Sequence, residues 1–156
     1  MEEIATLAEK QKAHLVHIST DFIFSGNNFV KTMLRLMAEK KCLNVIDEQI
    51  GTPTWAHGLA KAIWTGVQKN ISGTFHWTDA GVASWYDFAV AIQEEGIDAG
   101  LLDTEIPVLP VRTDRFPTPA KRPLYSVLDK TATWEALGIS PIHWRKQLRA
   151  MLKESL

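Results

Sequence analysis

STDFIFSGNNFVKTM, residues 19–33, is the stretch on which the reading of the fold turns. Just before it, HLVHIS (residues 14–19) is a short apolar run that ends on polar Ser19, Thr20 and Asp21, the pattern of a buried strand. After Gly26, either Asn27 or Asn28 is able to cap a helix, because a short side-chain oxygen can accept a first-turn N–H. Phe29, Val30, Met33, Leu34 and Met37 then recur at the spacing of one inward helical face. A buried strand thus runs into an amphipathic helix, which reads as α/β.

The same reasoning extends outward. Ile4, Leu7 and Ala8 mark one face of a short helix ending near Lys10 or Lys12. LNVID (residues 43–47) is a second strand, and the turn-prone EQIGTPT follows, where Gly51 is read as supplying a positive φ. Thr54 is placed to cap a helix from Trp55 to about Lys69, with Ala56, Leu59, Ala60, Ile63, Trp64 and Val67 in a 3.6-residue period. GTFHW (residues 73–77) reads as a brief strand. Ser84 with Asp87 resembles a capping box, in front of a stripe of Trp85, Phe88, Ala89 and Ile92. Residues 96–125 hold five of the seven prolines, and IPVLPV within them suits an edge strand because proline cannot donate to a central ladder. Asp129 caps a short helix that Gly138 ends, and a last helix over residues 141–153 buries Trp144, Leu148, Met151 and Leu152.

Composition narrows the function. The 156 residues suit one core, burying about two thirds of the surface an unfolded chain exposes. Seventeen basic and eighteen acidic side chains nearly cancel, so no broad positive field favours nucleic acid. No apolar run approaches the roughly 20 residues a membrane helix needs, and MEEIATLAEK lacks a secretory pattern. Cys42 is the only cysteine, which excludes an internal disulfide and a thiolate cluster. His14 and His17, three apart on a strand, point to opposite faces and make no metal motif. A cytoplasmic protein is expected, with its six tryptophans read as packing residues.

Five stretches then line up with a known family: HISTDFIFSG (17–26), NFVKTML (28–34), VIDEQIGTPT (45–54), GTFHWTDAGVASWYDFAVAI (73–92) and FPTPAKRPLYSVLD (116–129). In this order and spacing the chain resembles the bacterial dTDP-4-dehydrorhamnose reductases of the extended short-chain dehydrogenase/reductase superfamily. More loosely, it is similar to the reductase-like regulatory subunit of methionine adenosyltransferase. The resemblance implies an incomplete Rossmann-like fold: residues 1–26 as a remnant of the NAD(P)-binding domain, and 27–156 as the rest of the sheet with the C-terminal substrate-binding subdomain. Two family features are missing. No glycine-rich strand–turn–helix motif is present to hold a cofactor pyrophosphate. Nor is there a Tyr-x-x-x-Lys pair, since Tyr86 is followed four positions on by Val90 and Tyr125 by Asp129.

For site residues, the resemblance places Thr20 where a family hydroxyl polarises the substrate ketone, with Asp21 beside it. The residues alone read equally as a polar turn that satisfies strand-end amides. Asn28 matches an asparagine near the nucleotide diphosphate, while helix capping is its other role. Arg122 is similar to an arginine able to hold phosphate oxygens in a bidentate pair, and a surface role stays open beside it. Ile18 is the remnant position on the cofactor side. What the resemblance implies is a protein of dTDP-L-rhamnose biosynthesis, with NADPH or NADH as family cofactor, yet without cofactor binding or reductase activity of its own. A dTDP-sugar is the expected small-molecule partner. The alternative is a non-catalytic nucleotide-sugar-binding or protein-interaction module, with a homodimer as one form.

Overall fold

The computed structural model of the chain describes residues 2–18, 28–116 and 122–154. Its core is built where helical periodicity meets a small parallel sheet. Helix α2 (Phe29–Glu39) starts where Asn28 Oδ1 accepts the Lys31 N–H at 2.9 Å, and it buries Val30, Met33 and Met37. The short helix α1 (Glu2–Lys10) precedes it. Strand β1 (Leu43–Ile46) pairs in parallel with β4 (Val108–Val111), in register from Leu43 opposite Val108 to Ile46 opposite Val111. Pro110 stands opposite Val45, and among the described residues β4 has β1 as its one partner, so the proline lies on an edge of this sheet as its missing N–H requires.

Between these parallel strands the chain makes β2 (Ile50–Gly51), α3 (Ala56–Gln68), β3 (Ala83–Ser84) and α4 (Trp85–Asp98). Strands β2 and β3 form a separate antiparallel pair. Helix α4 opens on the expected capping box: Asp87 N–H donates to Ser84 Oγ at 3.0 Å, and Ser84 N–H donates to Asp87 Oδ2 at 2.9 Å. It packs against α2, β1, β4 and the last helix, α6 (Trp144–Glu154), which puts Ala89 and Ile92 at the centre of the core with no exposed surface. Each large side chain buried there contributes about 1.5–3 kcal/mol.

Polar clamps close the periphery. Glu95 lies within α4 with its side chain 1% exposed, and it accepts from Arg145 Nε at 2.9 Å and from Arg149 Nε and Nη2 at 2.6 and 2.8 Å. Arg145 also reaches Glu94. Helix α5 (Thr131–Leu137) begins where Asp129 Oδ1 accepts the Thr131 N–H at 3.0 Å and stops at Gly138 in the left-handed region, φ 61°. Gly81 needs its glycine twice over: φ is 87°, and a Cβ would stand 2.7 Å from His143 Nε2.

Several sequence expectations change. Residues 14–18 make no strand, and Leu15, Val16 and Ile18 are exposed. A strand forms only against a neighbour that takes its N–H and C=O groups, and no strand among the described residues lies beside this one. Residues 73–77 also make no strand; there His76 O accepts the Thr133 hydroxyl at 2.6 Å, and the following Ala80 bridges His143. In α3 the buried positions are Ala62 and Gly66, and Trp64 is 64% exposed. The close approach explains this: a Cβ on Gly66 would meet Ile71 at 3.2 Å and Leu137 at 3.6 Å, so the smallest residues face inward. Thr54 does not cap α3. Its hydroxyl donates to Thr52 O, and distant Asp79 accepts the N–H of the N-cap residue Trp55.

Candidate functional site

Ligands of parallel sheets gather beyond the carboxyl ends of the strands, here the turns after Ile46 and Val111. The two turns are tied together. Asp47 N–H donates to Val111 O at 3.1 Å, continuing the ladder past the strands. Glu48 Oε1 accepts the Thr113 N–H at 2.9 Å, and buried Gln49 donates from Nε2 to Thr113 Oγ1 at 3.2 Å. The hydrogen bonds from the Thr113 hydroxyl and backbone, with the Arg112 guanidinium nearby, hold the Glu48 carboxyl below its ordinary range. Glu48 is therefore anionic at neutral pH and fixes the turn after β4.

The next residues bring in the other elements. Ile50 pairs with Ser84 of β3, and it bridges Tyr125 as well, with Ile50 N–H donating to Leu124 O at 2.8 Å and Ser126 N–H to Ile50 O at 2.9 Å. Gly51 is required by this approach: a Cβ would lie 3.1 Å from Ser126 Oγ. A positive φ, the expected reason, is absent at this glycine. Ser84 leads into Trp85, whose ring lies 4.7 Å from that of Phe29, and Phe29 stacks on Phe88 at 5.4 Å. A continuous set of contacts thus joins the start of α2, the start of α4, β2 and residues 124–126.

Of the sequence-derived site residues, Asn28 lies at this end as the α2 cap, where the helix dipole and first-turn N–H groups favour an anion and no acidic side chain occupies the first turn. Arg122 is exposed, two residues before the Leu124 carbonyl that holds Ile50. Thr20 and Asp21 lie outside the described residues. Ile18 is exposed and belongs to no strand. For a dinucleotide cofactor the fit is poor at both parallel strands. After β1 the chain enters β2, and after β4 it enters a 3-10 turn at Thr113–Arg115, so neither strand feeds a glycine-rich helix N-terminus. Among the described residues no group of three His, Cys, Asp or Glu side chains converges to hold a metal ion, and no helix is long and apolar enough to cross a membrane.

Sequence reasoning missed Glu48 and Thr113, whose pairing spans 65 positions and carries no local signal. It also missed Asp79, 3% exposed, which accepts the Trp55 N–H at 3.0 Å. Burial pushes that carboxyl above its ordinary range, against the opposing effect of its hydrogen bonds.

Comparison with known proteins places this geometry. Residues 25–156 match the family model described as the RmlD substrate binding domain. The spore coat polysaccharide biosynthesis protein SpsK of Bacillus subtilis is 40% identical over 153 residues, 98% of this chain and 51% of that protein. The dTDP-4-dehydrorhamnose reductase of Aggregatibacter actinomycetemcomitans is 38% identical over 88% of the chain and 49% of its own length. Among solved structures, the dTDP-4-dehydrorhamnose reductase of Clostridium acetobutylicum superposes with a TM-score of 0.74 at 38% identity, over 83% of this chain and 44% of that one. The chain therefore spans about half the length of the relatives it matches.

Proposed function

The chain belongs to the RmlD substrate-binding-domain family, and on that premise we propose that it carries the nucleotide-sugar side of a dTDP-4-dehydrorhamnose reductase site without reducing a substrate alone. In this reading residues 1–26 are what the chain has of the cofactor-binding domain, and 27–156 form the rest of the sheet and the substrate subdomain. Asn28 and Arg122 hold the diphosphate of a dTDP-sugar: Arg122 through a bidentate pair, Asn28 from the mouth of α2. Thr20 and Asp21 belong beside the sugar ketone, where a hydroxyl polarises the carbonyl. The observation that carries the proposal is the family match running through residues 28 and 122, at an end of the molecule where the starts of α2 and α4 and residues 124–126 are joined.

NADPH or NADH is the hydride source in the family, and no cofactor contact is assigned to this chain. Lack of a positioned general acid, the role of the family tyrosine, costs about two to four orders of magnitude in rate. Purified protein mixed with NADPH and dTDP-4-dehydrorhamnose is expected to give no turnover. Oxidation of NADPH in step with formation of dTDP-rhamnose would refute the proposal.

One observation favours a second reading, an interaction module that pairs with another copy of itself. Ile4 and Leu7 of α1 are 52% and 59% exposed, and the apolar residues of 15–18 lie open beside them in sequence. Light scattering of the purified chain tests it: a discrete dimer supports this reading, and a monodisperse monomer removes it.

A further inference from the structure

The parallel pair of β1 and β4 has two outer edges, and they differ. Leu43 N–H donates to Pro107 O at 2.9 Å and Asp47 N–H to Val111 O at 3.1 Å. Backbone groups alternate in direction along a strand, so residues 43, 45 and 47 turn theirs toward β4, while Asn44 and Ile46 turn their N–H and C=O groups away from it. On the outer side of β4, Pro110 has no N–H to offer, which blocks that edge to a further strand. The outer side of β1 holds no proline, and among the described residues no strand pairs with it. A sheet of two strands is marginal by itself, and a third strand is what such an edge can accept.

The chain also carries a strand-like segment without a sheet. Residues 14–18, HLVHI, have the composition of a strand, yet Leu15, Val16 and Ile18 are exposed and no described strand runs beside them. In its own chain the segment is held elsewhere: His14 Nδ1 donates to Asn70 Oδ1 at 3.2 Å, just past the end of α3, and α3 packs against α5. Edge and segment are complementary. Both leave backbone donors and acceptors unpaired, and the segment is long enough to match the four residues of β1. Val16 and Ile18, at alternate positions, can extend the row of Leu43 and Val45 that packs into the core. Resting on the self-pairing reading above, we propose that β1 accepts residues 14–18 of a second copy of the chain as a third strand. The exchange is reciprocal, so each copy gives one strand and receives one, in a closed twofold dimer.

The test is sedimentation equilibrium of the full chain beside two proline variants. The unmodified protein is expected to form a reversible dimer. Asn44→Pro removes the outward N–H of β1 and leaves the residues bonded to β4 in place. Val16→Pro combined with His17→Pro removes a donor from both edges of the donated segment, whichever of them meets β1. Each should raise the dimer dissociation constant about tenfold or more, as loss of a hydrogen bond from both halves of a twofold contact does. Residues 16 and 17 lie outside every described helix and strand, so the double variant should keep the circular-dichroism spectrum of the folded chain. It carries the test should Asn44→Pro fail to fold. A dimer that the double variant leaves intact would overturn the strand exchange while self-pairing survives. A monomer at every concentration would overturn both, and slow amide exchange at residues 15–18 in that monomer would assign the β1 edge to the chain's own segment.

Discussion

Helices α1 and α2 are both amphipathic in sequence, yet they end in opposite circumstances. Val30, Met33 and Met37 of α2 are buried against α4 and the rest of the core, whereas Ile4 and Leu7 of α1 stand open to solvent. Both carry apolar residues three or four apart, so the difference is not written in their periodicity. It lies in what the chain places opposite: α2 faces α4, while residues 14–18 beyond α1 run beside no described strand. Periodicity tells which face of a helix seeks burial, and the partner must come from elsewhere.

The contrast is sharpened most by Ile92→Ala, at the centre of the α2–α4–α6 core. With no exposed surface and neighbours on every side, it should cost about 4 kcal/mol in chemical denaturation, through lost transfer energy and an unfilled cavity. A loss below about 1 kcal/mol would show the core to be loosely packed.

Next in size is Glu95→Gln. It leaves two arginines without their shared carboxylate and should cost about 2–3 kcal/mol at neutral pH. Hydrogen bonds from Arg149 first, and then Arg145, hold the Glu95 carboxyl below its ordinary range against the effect of burial. A depressed folded pKa means stabilisation that is fully present above the unfolded value of about 4.3 and lost as pH falls through the folded value. The gap between wild type and Glu95→Gln in denaturant midpoint should therefore close in acid; a gap independent of pH would contradict the clamp.

Ser84→Ala removes one arm of the capping box on α4 and should cost about 1 kcal/mol. The smallest effect belongs to the other region: Leu7→Ser on α1 should move global stability by less than about 0.5 kcal/mol. A loss as large as that of Ile92→Ala would break the comparison, because it would reveal a partner for the α1 face.

The parts of the fold that were legible in sequence are those decided by local chemistry. Asn28, the Ser84–Asp87 pair and Gly138 act within one helical turn, and Pro110 declares an edge through its own missing N–H. What escaped depends on distant residues. Trp64 looked like core because it is large and in phase, but α3 buries Ala62 and Gly66 instead and approaches Leu137 of α5 through Gly66. Thr54 looked like a cap because of its type and place, but Asp79 satisfies the Trp55 N–H from 24 positions away. Gly51 was noticed for the wrong reason, since its need is room for Ser126 and not a positive φ. Asn28 and Arg122 are proposed for the site on motif resemblance alone; the Glu48–Thr113 tie emerged only once β1 and β4 were seen side by side.

The most direct test of the account is a calorimetric titration of the purified chain with dTDP-L-rhamnose, alongside Arg122→Ala. The account predicts saturable one-to-one binding by the unmodified chain, weakened about tenfold or more when the charge-assisted phosphate contact is removed. Absence of binding heat at several temperatures, or equal affinity in the two proteins, would contradict it.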